Sequence, residues 1–242
     1  MIHVATSPAL HLPVDLLAWA AGSALGFGLY RWRLAGVAAR VSTQAGPGYF
    51  MCLVFGAVAA AWAFGSLNTL RDAIPTLSHT VLGALVGAII GVELYKVIKG
   101  IRGSTGTLFV GPFALGLAIG RWGCLLAGLP DRTYGVPTGL PWGVDLGDGI
   151  ARHPVQLYES AAMFVFLLIY LHGLSSRQSW AFRRSFYALA IWYGGQRFCW
   201  EFLKPYPGLF GPLNLFHLLC LGLVGYGALF YRDDLKRERA GA

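Results

Sequence analysis

Seven apolar stretches, each close to twenty residues, follow one another along the chain between short polar breaks. They run over Pro13–Arg31, Gly48–Leu67, Thr80–Val97, Thr107–Gly128, Pro154–His172, Ser185–Leu203 and Phe210–Tyr231. Segments of this length match a bilayer core of roughly 30 Å crossed at about 1.5 Å per residue. The pattern predicts an all-α polytopic membrane protein with about seven transmembrane helices. Residues 1–242 read as a single integral membrane domain.

The polar breaks orient the helices. With the N-terminus outside, thirteen lysines and arginines fall on the inner side: Arg31, Arg33, Arg40, Lys96, Lys99, Arg102, Arg177, Arg183, Arg184, Arg232, Lys236, Arg237 and Arg239. Four, Arg71, Arg132, Arg152 and Lys204, fall outside. This asymmetry is the positive-inside pattern and predicts an N-out, C-in chain. No lysine or arginine precedes the first stretch, which therefore reads as a retained helix rather than a cleavable signal. One connection is long: Leu129–Arg152, on the outer face between the fourth and fifth helices, is rich in Pro, Trp, Tyr and Asp. It reads as an ordered lid, and GVPTGLPWGVDLGDG within it suits a small β-ribbon.

Composition agrees. The chain is 56% hydrophobic and only 12% charged, with mean hydropathy +0.57, against about 25% charged residues in a typical soluble domain. The net charge of +8 follows the topology, so nucleic acid is not an expected partner. Gly83, Gly87 and Gly91 on the third helix, and Gly116, Gly120 and Gly123 on the fourth, have the spacing of close helix contacts in lipid. The four cysteines lie within predicted helices without a CxxC pair. They read as buried apolar thiols, with no metal site and no cofactor expected.

Two arginines, Arg121 and Arg197, are embedded in the apolar stretches. A guanidinium keeps its charge at any depth and needs an anion, water or a ligand there. The topology puts both near the outer side, with Glu201 four residues beyond Arg197. Arg152, Gln156 and Glu159 follow i, i+4, i+7, and Tyr193, Arg197 and Glu201 follow i, i+4, i+8, each set expected on one helical face. His79, His153 and His217 face the same side and are candidate general bases, with Asn214 one or two turns into the last helix. His3, His11 and His172 read as boundary residues, and Glu93 as snorkelling toward the inner interface near Lys96. Several cations at the outer headgroup level suit a phospholipid phosphate. An internal salt-bridge network around Glu159 and Glu201 is the alternative.

Three runs, GRWGCLLAG, RHPVQLYE and YGGQRFCWEFLKP, resemble in order three signature regions of the bacterial prolipoprotein diacylglyceryl transferases. The resemblance covers roughly His79 to His217. It implies an enzyme of the bacterial cytoplasmic (inner) membrane with its site toward the outer face. Such an enzyme moves a diacylglyceryl group from phosphatidylglycerol to the lipobox cysteine thiol of a prolipoprotein, forming a thioether and releasing glycerol phosphate. By motif, Arg121 matches the arginine of the family's GRxGN segment, Arg197 and Glu201 its R-x-x-x-E, and Arg152, His153, Gln156, Tyr158 and Glu159 the R-H-P-x-Q-L-Y-E stretch. On this reading Arg121, Arg197, Glu201, His153, Glu159 and His79 are catalytic. Arg121, Arg152, Gln156, Tyr158, Tyr193 and Arg197 bind substrate. The chain departs from the family at Cys124, Ala127 and Leu129, where asparagine, asparagine and glutamate are expected. Leu82 rather than a histidine precedes Gly83, and the family's tyrosine near the first helix has no clear counterpart around Asp15. A related transferase with another acceptor, and a non-enzymatic carrier of anionic lipid, are the other readings.

Overall fold

The computed structural model describes residues 1–70 and 77–240; Arg71, counted above among the outer cations, lies outside them. The chain is helical almost throughout: α1 (His11–Leu29), α2 (Ala35–Gln44), α3 (Pro47–Thr69), α4 (Val81–Lys99), α5 (Thr107–Ala127), α6 (Val155–Ser175), α7 (Ser179–Arg183), α8 (Ser185–Glu201) and α9 (Leu215–Ala240). Among the described residues six helical segments are long and apolar enough to cross a membrane: Pro8–Gln44, α3, α4, α5, α6 and α9. Large apolar side chains cover their outer surfaces, among them Trp19, Phe55, Met51, Val97 and Ile98. Helices that are apolar on every side need an apolar solvent, so this is a multi-pass membrane protein. α8, with 17 residues, is not among these six and carries Arg197 and Glu201.

Two helix ends differ from the sequence expectation. The first helix does not stop at Arg31. It passes through a π-helical turn at Tyr30–Leu34 into α2 and ends only before Gly46-Pro47, because no proline interrupts it earlier and the residue before a proline disfavours the helix. The last helix begins at Leu215 rather than Phe210. The preceding GLFGPLN segment folds into a tight loop closed by a Phe210–Leu213 bridge. Asn214 is therefore a cap, not a residue inside the helix. Its Oδ1 accepts the His217 N–H at 3.1 Å, and its own N–H donates to His217 Nδ1 at 3.1 Å, a reciprocal capping arrangement.

The helices pack in pairs: α3 on α4, α1 on α5, α5 on α6 and α8 on α9. The α3–α4 seam is the close glycine contact that the spacing predicts. A Cβ at Gly87 would lie 2.1 Å from the Gly56 carbonyl oxygen, and one at Gly91 would lie 2.3 Å from that of Cys52. Pro112, inside α5, seats its ring against Gly26 of α1. The interior between these pairs holds Leu34, Leu82, Met163, Tyr170, Leu189 and Tyr193.

The long loop does form a ribbon, with a strand the sequence did not announce. β2 (Val144–Asp145) pairs antiparallel with β3 (Ala151–Arg152), and β1 (Ile2–His3) adds to β2 in parallel. The start of the chain is thereby tied to the lid. Asp145 anchors the turn: its Oδ1 accepts the N–H groups of Gly147 and Gly149 at 2.9 Å, and His3 Nδ1 lies 2.9 Å from Oδ2. These donors, Gly147 first, hold its carboxyl below the usual carboxylate range.

Candidate active site

Three helices and the turn after α8 bring five charged side chains to one buried place. Glu159 of α6 is the centre. Its Oε2 lies 2.6 Å from Arg121 Nε of α5 and accepts from Arg197 NH1 of α8 at 2.9 Å, while Oε1 accepts from Lys204 Nζ at 2.7 Å. Arg197 also reaches Glu201 on its own helix, NH2 to Oε2 at 3.3 Å. Glu159 is wholly buried, and Arg121, Arg197, Glu201 and Lys204 are each less than one-tenth exposed. Three cations facing two carboxylates leave one positive charge in surplus. Burying charges is tolerable only with such mutual pairing.

Neighbouring contacts fix the cluster. One residue along from each partner of the Arg121–Glu159 pair, Trp122 Nε1 donates to Ser160 Oγ at 3.1 Å, and that hydroxyl donates to the Ala118 carbonyl at 2.6 Å, locking α5 to α6. Asn214 Nδ2 donates to Glu201 Oε1 at 3.1 Å, so the cap of α9 also orients this carboxylate. Tyr193 lies one turn before Arg197 on α8, fully buried, and among the described residues its hydroxyl has no hydrogen-bond partner. Arg197 Nε is likewise unpartnered. Spare donors beside a surplus cation suit an anion.

Of the residues singled out by sequence, Arg121, Glu159, Tyr193, Arg197 and Glu201 come together. Gln156 is buried one turn before Glu159 and meets Thr133 of the loop, Nε2 to Oγ1 at 3.4 Å. Tyr158 forms the floor of the lid: Trp142 Nε1 donates to its hydroxyl at 2.9 Å, its ring packs on Trp200, and His153 Nδ1 lies 3.5 Å from the same hydroxyl. Arg152 does not share the face of Gln156 and Glu159. It sits in β3, before the helix, bound to Asp148 at 2.6 Å and stacked over Tyr134. The helical spacing fails there because Pro154 keeps His153 out of the helix. His79 is exposed before α4 and packs against Trp62. Among the described residues no hydrogen bond or ion pair joins His79 or His153 to the Glu159 cluster. His217 is buried between Phe198 and Phe202 and serves the cap.

Three expectations need correction. Only Cys220 is a buried thiol; Cys52 and Cys124 are half-buried and Cys199 is exposed. Glu93 does not snorkel: it takes Lys96 Nζ at 2.8 Å and the Tyr226 hydroxyl at 2.7 Å, and Lys96 is itself buried. His11 is no mere boundary residue, since it touches Asp15, Cys124 and Asp131. Lys204 was read as a loop cation, although its register was visible, three residues beyond Glu201 and seven beyond Arg197.

Next to the charged cluster lies an apolar cavity of about 240 Å³, lined by Tyr49, Leu85, Phe109 and Phe113 among others, and bounded along α4 from Val81 to Glu93. Those twelve steps of helix span about 18 Å. Phe113 forms the partition, with its ring 5.6 Å from that of Tyr193. Phe113 and Tyr193 together stand between the cavity and the charged cluster.

Comparison with known proteins supplies the family. A family profile described as prolipoprotein diacylglyceryl transferase matches residues 17–232. Curated relatives named phosphatidylglycerol–prolipoprotein diacylglyceryl transferase include one from Finegoldia magna, 33% identical over 50% of this chain and 47% of its own. Another, from Methylococcus capsulatus, is 34% identical over 65% of this chain and 62% of its own. A third, from Bordetella parapertussis, is 35% identical over 58% and 52%. The chain thus spans about half to three-fifths of the length of these relatives. No solved structure matches it. With the profile covering most of the sequence, the chain belongs to the prolipoprotein diacylglyceryl transferase family.

Proposed function

We propose that this protein transfers a diacylglyceryl group from phosphatidylglycerol to the lipobox cysteine thiol of a prolipoprotein. The observation that carries the reading is the convergence of Arg121, Arg197 and Lys204 on Glu159, with one positive charge in surplus, beside an apolar cavity. Such a pair of neighbouring environments suits a lipid with an anionic headgroup. In the topology we favour, α8 is the sixth of seven spans, the N-terminus is outside and the C-terminus inside. The site then opens toward the outer face of the bacterial inner membrane, within a single membrane domain.

The transfer forms a sulfur–carbon bond as the glyceryl carbon–oxygen bond breaks, and the electron pair leaves on the phosphate oxygen of glycerol phosphate. Arg121 and Arg197 hold the phosphate and stabilise the charge that builds on it, the role of preorganised cations in a dry site. Glu159 and Glu201 position the guanidinium groups. Tyr193 offers its hydroxyl to the phosphate, and Gln156 and Tyr158 line the approach beneath the loop. His153 or His79 takes the thiol proton, and Arg152 braces the loop through Asp148.

The test uses the full chain in phosphatidylglycerol vesicles with labelled lipid and a lipobox peptide. The wild type yields a lipidated peptide, and Arg121→Ala and Arg197→Ala each slow transfer by about 10²- to 10³-fold. Full activity in both variants overturns the assignment. Movement of lipid between leaflets with no covalent product points instead to a carrier, and transfer to a different thiol or hydroxyl to another acceptor.

A further inference from the structure

A second constellation stands beside Arg121 and plays no part in the phosphate chemistry above. His11 opens α1, Cys124 lies in the last turn of α5, and Asp131 closes the 3-10 turn Leu129–Asp131 that follows. Two local contacts bring these distant segments together. Gly128, at φ 75°, turns the chain out of α5 where a Cβ would strike Thr6, and the Ser7 N–H donates to the Leu126 carbonyl at 2.8 Å. As a result one imidazole nitrogen, one sulfur and one carboxylate oxygen lie within 4.8 Å of one another.

The separations are those of metal ligands. A tetrahedral zinc ion has bonds of about 2.3 Å to sulfur and about 2.0–2.1 Å to nitrogen and oxygen. Tetrahedral angles then put nitrogen and sulfur about 3.6 Å apart, and nitrogen and oxygen about 3.3 Å apart. His11 Nε2 lies 3.7 Å from Cys124 Sγ and 3.2 Å from Asp131 Oδ1. The surroundings fit as well. His11 Nδ1 is 2.9 Å from Asp15 Oδ2, the carboxylate partner that fixes the ring of a metal-binding histidine. Thr133 Oγ1 donates to the other oxygen of Asp131. The charge is nearly balanced as well: a dication with the thiolate, Asp131 and Asp15 leaves one negative charge, which faces the Arg121 guanidinium (NH1 3.8 Å from Sγ) that Glu159 also holds. Soft sulfur combined with imidazole and carboxylate selects zinc-type ions over magnesium or calcium.

We propose that His11, Cys124 and Asp131 bind a zinc-type divalent transition-metal ion, with Asp15 orienting His11 and Arg121 balancing the charge. Three protein ligands leave a fourth position of the kind that takes water or a thiolate. The ion ties the start of the first helix to the base of the lid and fixes Cys124 against Arg121. The site does not depend on the transferase reading. Its key ligand is one of the positions where this chain departs from the family pattern, Cys124 for asparagine.

Cobalt(II) tests it directly. The full chain, purified in detergent and stripped with a chelator, is titrated with Co²⁺ and followed by absorption, with circular dichroism to verify the fold. The expected result is saturation near one equivalent, with the visible bands of a tetrahedral ion and a near-ultraviolet sulfur-to-cobalt charge-transfer band, both bleached by Zn²⁺. Cys124→Ser abolishes the charge-transfer band, Asp15→Asn weakens Co²⁺ binding by about 10- to 100-fold, and Cys199→Ser changes neither. A folded wild type that shows no charge-transfer band overturns the proposal, leaving a metal-free thiol–imidazole–carboxylate cluster. So does a band that survives in Cys124→Ser.

Discussion

Replacing Glu159 by glutamine strikes the centre of the buried charge cluster with little change in side-chain volume. The carboxylate faces Arg121 at 2.6 Å, Arg197 at 2.9 Å and Lys204 at 2.7 Å, and it is wholly buried. Without it three cations share Glu201 alone, and the surplus rises from one positive charge to two. Breaking a buried pair by removing one partner costs about 3–5 kcal/mol, because the charge left behind has neither water nor counter-ion. For a chain of this size that corresponds to a fall in melting temperature on the order of 10 °C, read by circular dichroism in detergent. The cause is separable from simple loss of contacts. Adding Lys204→Met to Glu159→Gln removes one orphaned cation, so the double variant is more stable than the single one, with a coupling of about 1–3 kcal/mol. If Glu159→Gln melts with the wild type, or if the two changes merely add, the cluster is not held by mutual charge compensation and the reasoning fails.

Other consequences are equally accessible. Gly87→Leu forces a Cβ to 2.1 Å from the Gly56 carbonyl oxygen and destabilises the α3–α4 pair by at least about 3 kcal/mol, whereas Gly195→Ala, facing open space, leaves the melt unchanged; equal melts for both would refute close packing at the seam. Ala84→Phe fills the apolar cavity, and transfer from long-chain phosphatidylglycerol drops more than transfer from a short-chain donor in a parallel assay; an equal drop for both would deny the cavity an acyl chain. Asp145 has a depressed carboxyl pKa in the fold, so its support of the lid is complete above the unfolded value of about 3.9 and is lost as pH falls through the folded value. Amide exchange at Ile2 and Gly147 accelerates in that acid window, and protection that persists there in full would show the ribbon does not rely on the Asp145 anion.

What the sequence made legible follows the reach of its regularities. Helical spacing works within one helix. It therefore found the Gly83–Gly87–Gly91 seam and the Tyr193–Arg197–Glu201 face, and both appear as expected. It failed where a periodicity was carried across a proline: Arg152 shares a register with Gln156 only if the helix passes through Pro154, which it does not. The same caution applies to Asn214, since Pro212 and Gly211 delay the last helix. Lys204 was within reach but was classed by topology as a loop cation. His11, Cys124 and Asp131 obey no spacing rule at all, because 113 residues separate the histidine from the thiol. Only folding of the start of the chain onto the end of α5 makes them neighbours.

The charge of the two arginines is costly in an apolar stretch, yet the cluster is organised around an anion. Arg121, Arg197 and Lys204 come from α5, α8 and the turn after it, and nothing in their mutual repulsion would gather them. Glu159 does, from α6, which packs against both α5 and α8. In the function we propose, a phosphate arriving there meets cations already desolvated and already oriented, so binding it requires little reorganisation. It must compete with Glu159 for the same donors, and the single surplus charge, together with the unpaired Tyr193 hydroxyl and Arg197 Nε, is what favours the competitor. On that proposal the salt-bridge network and the phosphate site are one device, in which the carboxylate holds the cations in readiness for the ligand that replaces part of its contacts.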